Sequence, residues 1–253
     1  MLYIDSHIHF YEDGKNVSIE RLDKIIDFYI SNRFKKIIDM GHKQALGLKL
    51  KKIFEGKITI KTCGYALYKD GGYGSFIGRP VRSKKEFPEI INTLSKMGVD
   101  FIKVINSGIV TTNPEIPISK GGFTFDELKM IVEESKSYGL EVKCHVNGDK
   151  KIQESIIAGV SSIEHGFFIS SETIEMMKEY NVEWTPTANA LLSITKFLQG
   201  IEKKYIEDIV NYHLEKIRIA KKMGIKINIG SDGGSKGINH IEGFLKELKL
   251  IVD

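Results

Sequence analysis

Cysteine is scarce. Cys63 and Cys144 are the only two in 253 residues, too few for a disulfide framework. Both sit in apolar, strand-like segments, the pattern of buried thiols in a reducing compartment, so a cytoplasmic protein is expected. Proline is thin as well, at five residues, and no Pro/Ser/Gly linker divides the chain. A single domain over residues 1–253 is therefore expected. No apolar run approaches the ~20 residues that a membrane helix needs. The opening Met1-Leu2-Tyr3-Ile4-Asp5 has neither the basic region nor the apolar stretch of a signal peptide. No sign of charge dominates: 37 Lys and Arg against 33 Asp and Glu leave a net charge of +4. Paired lysines such as Lys35-Lys36 and Lys203-Lys204 supply much of the excess, in or beside predicted helices. That placement describes a solvated outer face rather than a nucleic-acid patch. The expected partner is a small-molecule substrate, with no nucleic acid and no membrane, and with room for a homo-oligomer.

What the chain does have is rhythm. Short β-branched runs alternate with longer amphipathic ones, which is the pattern of a parallel α/β fold. Strands are predicted at 2–5, 36–40, 58–65, 101–105, 141–145, 162–165, 182–185 and 226–230. Helices are predicted at 18–31, 84–97, 124–138, 149–158, 171–180, 203–223 and 241–252. Met97-Gly98, Tyr138-Gly139, Ala158-Gly159 and Met223-Gly224 each read as a helix stop, and the repeated order of helix, glycine and strand is what βα units produce. Eight such units point to a closed (β/α)8 TIM barrel, and ~250 residues is the usual size of one. The Gly-rich stretch Lys69–Arg82 and the stretch Ser107–Gly122 follow strands and read as active-site loops.

Metal-ligating side chains stand where these strands end. In Asp5-Ser6-His7-Ile8-His9 the strand period puts Asp5, His7 and His9 on one face, so two imidazoles converge on one point. Lys103 lies in Phe101-Ile102-Lys103-Val104-Ile105, apolar on both sides, where a buried ammonium is costly without a partner or a chemical purpose. An amine with a depressed pKa there reacts with carbon dioxide to give an anionic carbamate. His145 and His165 end successive strands, while Cys144 and Glu164 fall out of phase with them, toward the helix layer or a supporting role. Asp232, in Gly230-Ser231-Asp232-Gly233-Gly234, can bind a metal and hold a proton during hydrolysis.

These segments resemble the amidohydrolase superfamily, most closely its imidazolonepropionase-like and prolidase-like branch. The resemblance rests on DSHIHF, GGYG, FIKVINSG, the run from Cys144 to Gly166, the Thr185-Pro186-Thr187 turn, and INIGSDGG. It implies two divalent ions, zinc foremost, with His7, His9 and Asp232 holding one and His145 and His165 the other. Carbamylated Lys103 and a hydroxide would bridge the pair, and Asp232 would shuttle the proton. Relatives carry a flanking β-sandwich, whereas here the first strand begins at residue 2, so a barrel without that domain is expected.

The reading is a metal-dependent hydrolase of a C–N amide bond, linear or cyclic, peptide-like or N-acyl, with Lys103 and Asp232 as its catalytic residues. A mononuclear deaminase-type hydrolase and a TatD-like metal-dependent nuclease are the alternatives. Lys103 speaks against the nuclease, since that family resembles this pattern with a glutamate in its place. Tyr68, Tyr73 and Arg79 in the Gly-rich loop, with His240 past the last strand, are the candidates for binding substrate, supplemented by Arg82, Asn106 and Ser107.

Overall fold

A computed structural model describes residues 2–252. Nine strands are present among them: β1 (Tyr3–Ile8), β2 (Phe34–Asp39), β3 (Thr59–Thr62), β4 (Ala66–Lys69), β5 (Gly78–Val81), β6 (Ile102–Ile105), β7 (Val142–Val146), β8 (Ser162–His165) and β9 (Glu183–Thr185). Nine α-helices accompany them: α1 (Ile19–Ser31), α2 (Leu46–Ile53), α3 (Phe87–Met97), α4 (Phe125–Ser137), α5 (Asp149–Ala158), α6 (Ser171–Glu179), α7 (Ala188–Ser193), α8 (Gly200–Lys222) and α9 (His240–Val252). All strand pairings are parallel, in two sheets ordered β1-β2-β3 and β5-β4-β6-β7-β8-β9. The helices pack outside, and the largest apolar cluster lies between them and the second sheet, with Trp184, Phe87 and Phe123 among its biggest members. This is an α/β domain of barrel-like arrangement.

The local chemistry of the helix ends follows the sequence. Thr124 and Glu127 form a reciprocal capping box at the start of α4. Gly98 and Gly159 end α3 and α5 in the left-handed conformation that only glycine adopts freely.

Three stretches depart from expectation. The predicted strand 58–65 breaks at Gly64, whose φ of 70° ends β3 and lets β4 leave for the second sheet. Part of the Gly-rich stretch forms β5, paired with β4, rather than a loop throughout. The segment 226–230 is no regular strand, although it is hydrogen-bonded on both sides. Trp184 N donates to Lys226 O (3.0 Å) on the β9 side, and Ser6 N donates to Ile229 O (2.8 Å) on the β1 side. Between β3 and the start of β6, Asp100 N donates to Thr62 O (2.9 Å), and the Asp100 carboxylate accepts from Lys51 and Lys61. Helices α2 and α7 were not expected from the sequence.

Candidate metal centre and substrate cavity

The C-terminal ends of the strands surround a cavity of about 200 Å³. His7, His9, Lys103, His145, His165 and Asp232 all line it. Asp5 does not join them. Register shifts on both sides of Ile4–Asp5 break the simple alternation of β1. Its carboxylate instead accepts from Tyr29 of α1 (3.0 Å) and from Ser231 N (2.9 Å).

Each of the four cavity histidines has one ring nitrogen engaged by an acceptor at the cavity's edge. His7 Nδ1 donates to Glu164 Oε2 at 2.6 Å, and His9 Nδ1 faces Gly41 O at 3.3 Å. His165 Nδ1 lies 2.7 Å from the Thr187 hydroxyl, and His145 Nε2 faces Gly108 O at 3.2 Å. The carboxylate and carbonyl partners, which only accept, fix the tautomers of His7, His9 and His145 and leave the other nitrogen with its lone pair, while the hydroxyl orients the His165 ring. The Nε2 atoms of His7 and His9 stand 3.6 and 3.3 Å from Asp232 Oδ1. The rings of His145 and His165 are 4.5 Å apart, and those of His7 and His165 4.9 Å.

Burial lowers the basicity of His7, His145 and His165. Burial, reinforced by the Lys103 ammonium, pushes His145 down to about 3. His165 is held well below its ordinary value by burial and by its histidine neighbours. Lys103 is only 1% exposed, and its Nζ has no hydrogen-bond partner among the described residues. Burial lowers its pKa against the pull of Glu164. Burial alone would raise Glu164, but Lys103 and His7 bring it down to about 2, so an anion sits behind His7. Glu164 faces inward beside His165 because His165 takes a φ of 65° at the end of β8, outside the strand alternation. Cys144 lies on the outer side, 3.7 Å from the Ser155 hydroxyl of α5.

The donor set fits a divalent ion. His7, His9 and Asp232 offer three ligand atoms within 4.8 Å of one another, a nitrogen and oxygen set suited to zinc and its neighbours. The buried, unpartnered Lys103 amine beside them is the second sign of an unmet bonding requirement.

Of the residues expected to bind substrate, Tyr73 lines the cavity, its ring 5.4 Å from that of His145. Tyr68 does not line it, being packed with Tyr11, Ala66, Ile77 and Ile105 once β4 and β5 form. Arg79 lies on β5 with its guanidinium over the Tyr65 ring at 4.2 Å. His240 is buried between the Tyr29 hydroxyl (3.2 Å) and Tyr11 O (3.0 Å). Arg82 is an exposed partner of Asp70. Asn106 holds Ser155 and Phe123 N, and the Ser107 hydroxyl holds Asn147 N. The sequence reasoning missed the walls: Ile109, Val110, Phe167, Leu191 and Ile194, with Lys236 at the end of the loop that carries Asp232. Ile109 and Val110 lie in the stretch Ser107–Gly122 that reads as an active-site loop, whereas Leu191 sits on the unexpected helix α7 and Ile194 in the 3-10 turn that follows it.

Known proteins match this arrangement. The pattern of the amidohydrolase family covers residues 3–252. The chain belongs to that family. Ochratoxinase of Aspergillus niger is 30% identical over 151 residues, which are 58% of this chain and 31% of that enzyme. The chain thus spans about a third of that relative. Among solved structures, a Xaa-Pro dipeptidase with bound methionine superposes with a TM-score of 0.77 at 22% identity, over 98% of this chain and 69% of that one. The A. niger ochratoxinase structure gives 0.78 at 19% identity, over 99% and 67%. At these identities the structural likeness is one of fold.

Proposed function

We propose that this family member is a metal-dependent hydrolase that cleaves a C–N amide bond of a small molecule in a closed (β/α)8 barrel. The observation that carries the reading is the convergence of four buried histidines, Asp232 and the unpartnered Lys103 on one cavity. His7, His9 and Asp232 would hold one divalent ion, zinc foremost, and His145 and His165 a second. Bound there, the metal supplies Lewis-acid polarisation of the amide carbonyl and a water of lowered pKa.

The chain's own residues supply the rest. Burial lowers the pKa of Lys103, which favours the free amine that would add through Nζ to the carbon of carbon dioxide with release of one proton. The carbamate so formed would offer the two sites a shared anionic ligand. Glu164 holds the proton on His7 Nδ1 and so keeps Nε2 as the donor atom. Asp232 is the only carboxylate among the described residues lining the cavity, so it takes the proton of the attacking water and returns it to the leaving nitrogen. The apolar walls exclude bulk water and suit an apolar acyl group or side chain. Tyr73 and Lys236 line the same cavity, and the Lys236 ammonium would suit a substrate carboxylate. The names of the similar proteins, a Xaa-Pro dipeptidase and ochratoxinase, agree with an amide of this sort.

A mononuclear, deaminase-type reading has its own observation: among the described residues, only His7, His9 and Asp232 gather as a ligand group within 4.8 Å. A panel of apolar dipeptides, N-acyl amino acids, lactams, aminated bases and phosphodiesters tests both, assayed after loading with zinc, manganese or cobalt. Chelator-sensitive amide cleavage is the expected result. Deamination alone would favour the mononuclear reading, and phosphodiester cleavage alone would refute both.

A further inference from the structure

Helix α7 forms part of the cavity wall through Ala190 and Leu191. It begins in an unusual way. Its N-cap residue is Thr187, a type that normally turns its hydroxyl back to accept from the first free backbone N–H groups. Here Thr187 adopts φ 47°, and its side chain makes no capping bond. The hydroxyl is instead paired with His165 Nδ1 at 2.7 Å, where it can accept the ring proton. Two of the amide donors left at the helix start are met from a distant part of the chain. Glu247 of α9 accepts from Ala188 N at 2.9 Å through Oε1 and from Asn189 N at 2.6 Å through Oε2.

A fully buried carboxylate is costly to place, so its geometry needs a purpose. Glu247 lies on the buried face of α9 with Phe244 and Ile251, where packing alone would favour an apolar residue. We infer that Glu247 is a positioning residue: it supplies the cap that α7 lacks and so frees the Thr187 hydroxyl to orient the imidazole of His165. The backbone at His165 is anchored from the same direction, since Trp184 Nε1 donates to His165 O at 2.8 Å. Without the Glu247 clamp, the Ala188 and Asn189 amides compete for the Thr187 oxygen, and His165 loses its fixed tautomer. The inference rests on the reading that His165 belongs to the functional site.

The test is the ring tautomer of His165, read on the protein without metal by long-range 15N–1H NMR of 15N-histidine-labelled samples. Wild type should show His165 protonated at Nδ1. Glu247→Gln keeps the size but turns one acceptor into a donor facing an amide N–H, and it should convert His165 to a mixture of tautomers. His213 and His240 should be unchanged. Glu247→Asp, which keeps the carboxyl group but cannot reach both amides, should act in the same direction and carries the test if the glutamine variant does not fold. On metal-loaded protein, the same variants should release one ion at about 10–100-fold lower chelator concentration while the other ion is unaffected. An unchanged His165 tautomer in a folded variant overturns the inference, and so does equal loosening of both ions. Because the tautomer is read without metal, the inference and the metal-dependent function can fail independently.

Discussion

Two groups of buried histidines make an instructive contrast. His145 and His165 stand at strand ends in the cavity, while His213 on α8 and His240 on α9 stand in the helix layer. All four are buried, and burial depresses the pKa of each. What separates them is convergence. His213 stacks on Phe167 with its ring centroid 4.2 Å away, and its Nε2 donates to Pro186 O at 3.2 Å. His240 ties the loop after β1 to α1, with no ligand-type neighbour turned toward it. The cavity histidines each present a nitrogen to the same small volume, beside an amine and a carboxylate. Depressed basicity therefore marks burial, and only shared direction marks a centre.

Four substitutions sharpen or break that contrast. The largest effect belongs to His145→Ala, which should abolish turnover while circular dichroism and thermal unfolding remain close to wild type. Retained activity would remove His145 from the site. Lys103→Ala should also lose activity, and short carboxylates such as formate or acetate should restore part of it in steady-state assays. Failure of rescue with full metal binding would count against a shared anionic ligand. His213→Ala reverses the pattern. It should cost about 1–3 kcal/mol of stability by denaturant titration, with kcat within about twofold of wild type once folded. A selective loss of kcat in folded protein would erase the distinction between the two groups. Smallest, Lys236→Gln should raise KM about 3–10-fold for carboxylate-bearing amides and leave KM unchanged for neutral ones, a difference of up to about 1.4 kcal/mol. Equal KM changes for both substrate types would remove the mouth cation from recognition.

The same contrast explains what the sequence made legible. His7, His9, Lys103, His145 and Asp232 were readable because strand period and strand ends fix where a side chain points, and the structure brings them to one cavity. Glu164 was readable as a supporting group but not as the partner of His7, since that depends on the left-handed turn at His165. Asp5 was misplaced because β1 slips in register. Tyr68, Arg79 and His240 do not line the cavity. Tyr68 and Arg79 belong to the paired strands β4 and β5, and His240 opens α9. The apolar walls at Val110, Phe167 and Leu191 depend on how loops and the short helix α7 fold over the strand ends, which no local period encodes. Glu247 did leave a trace, as a carboxylate on the apolar face of a predicted helix.

The most direct test of the metal-dependent account is elemental analysis of protein purified with bicarbonate and without chelator, for wild type and Lys103→Ala side by side. The account predicts about two divalent ions per wild-type chain and fewer in the variant. A wild-type chain holding about one ion, unchanged by the substitution, or holding none, would contradict it.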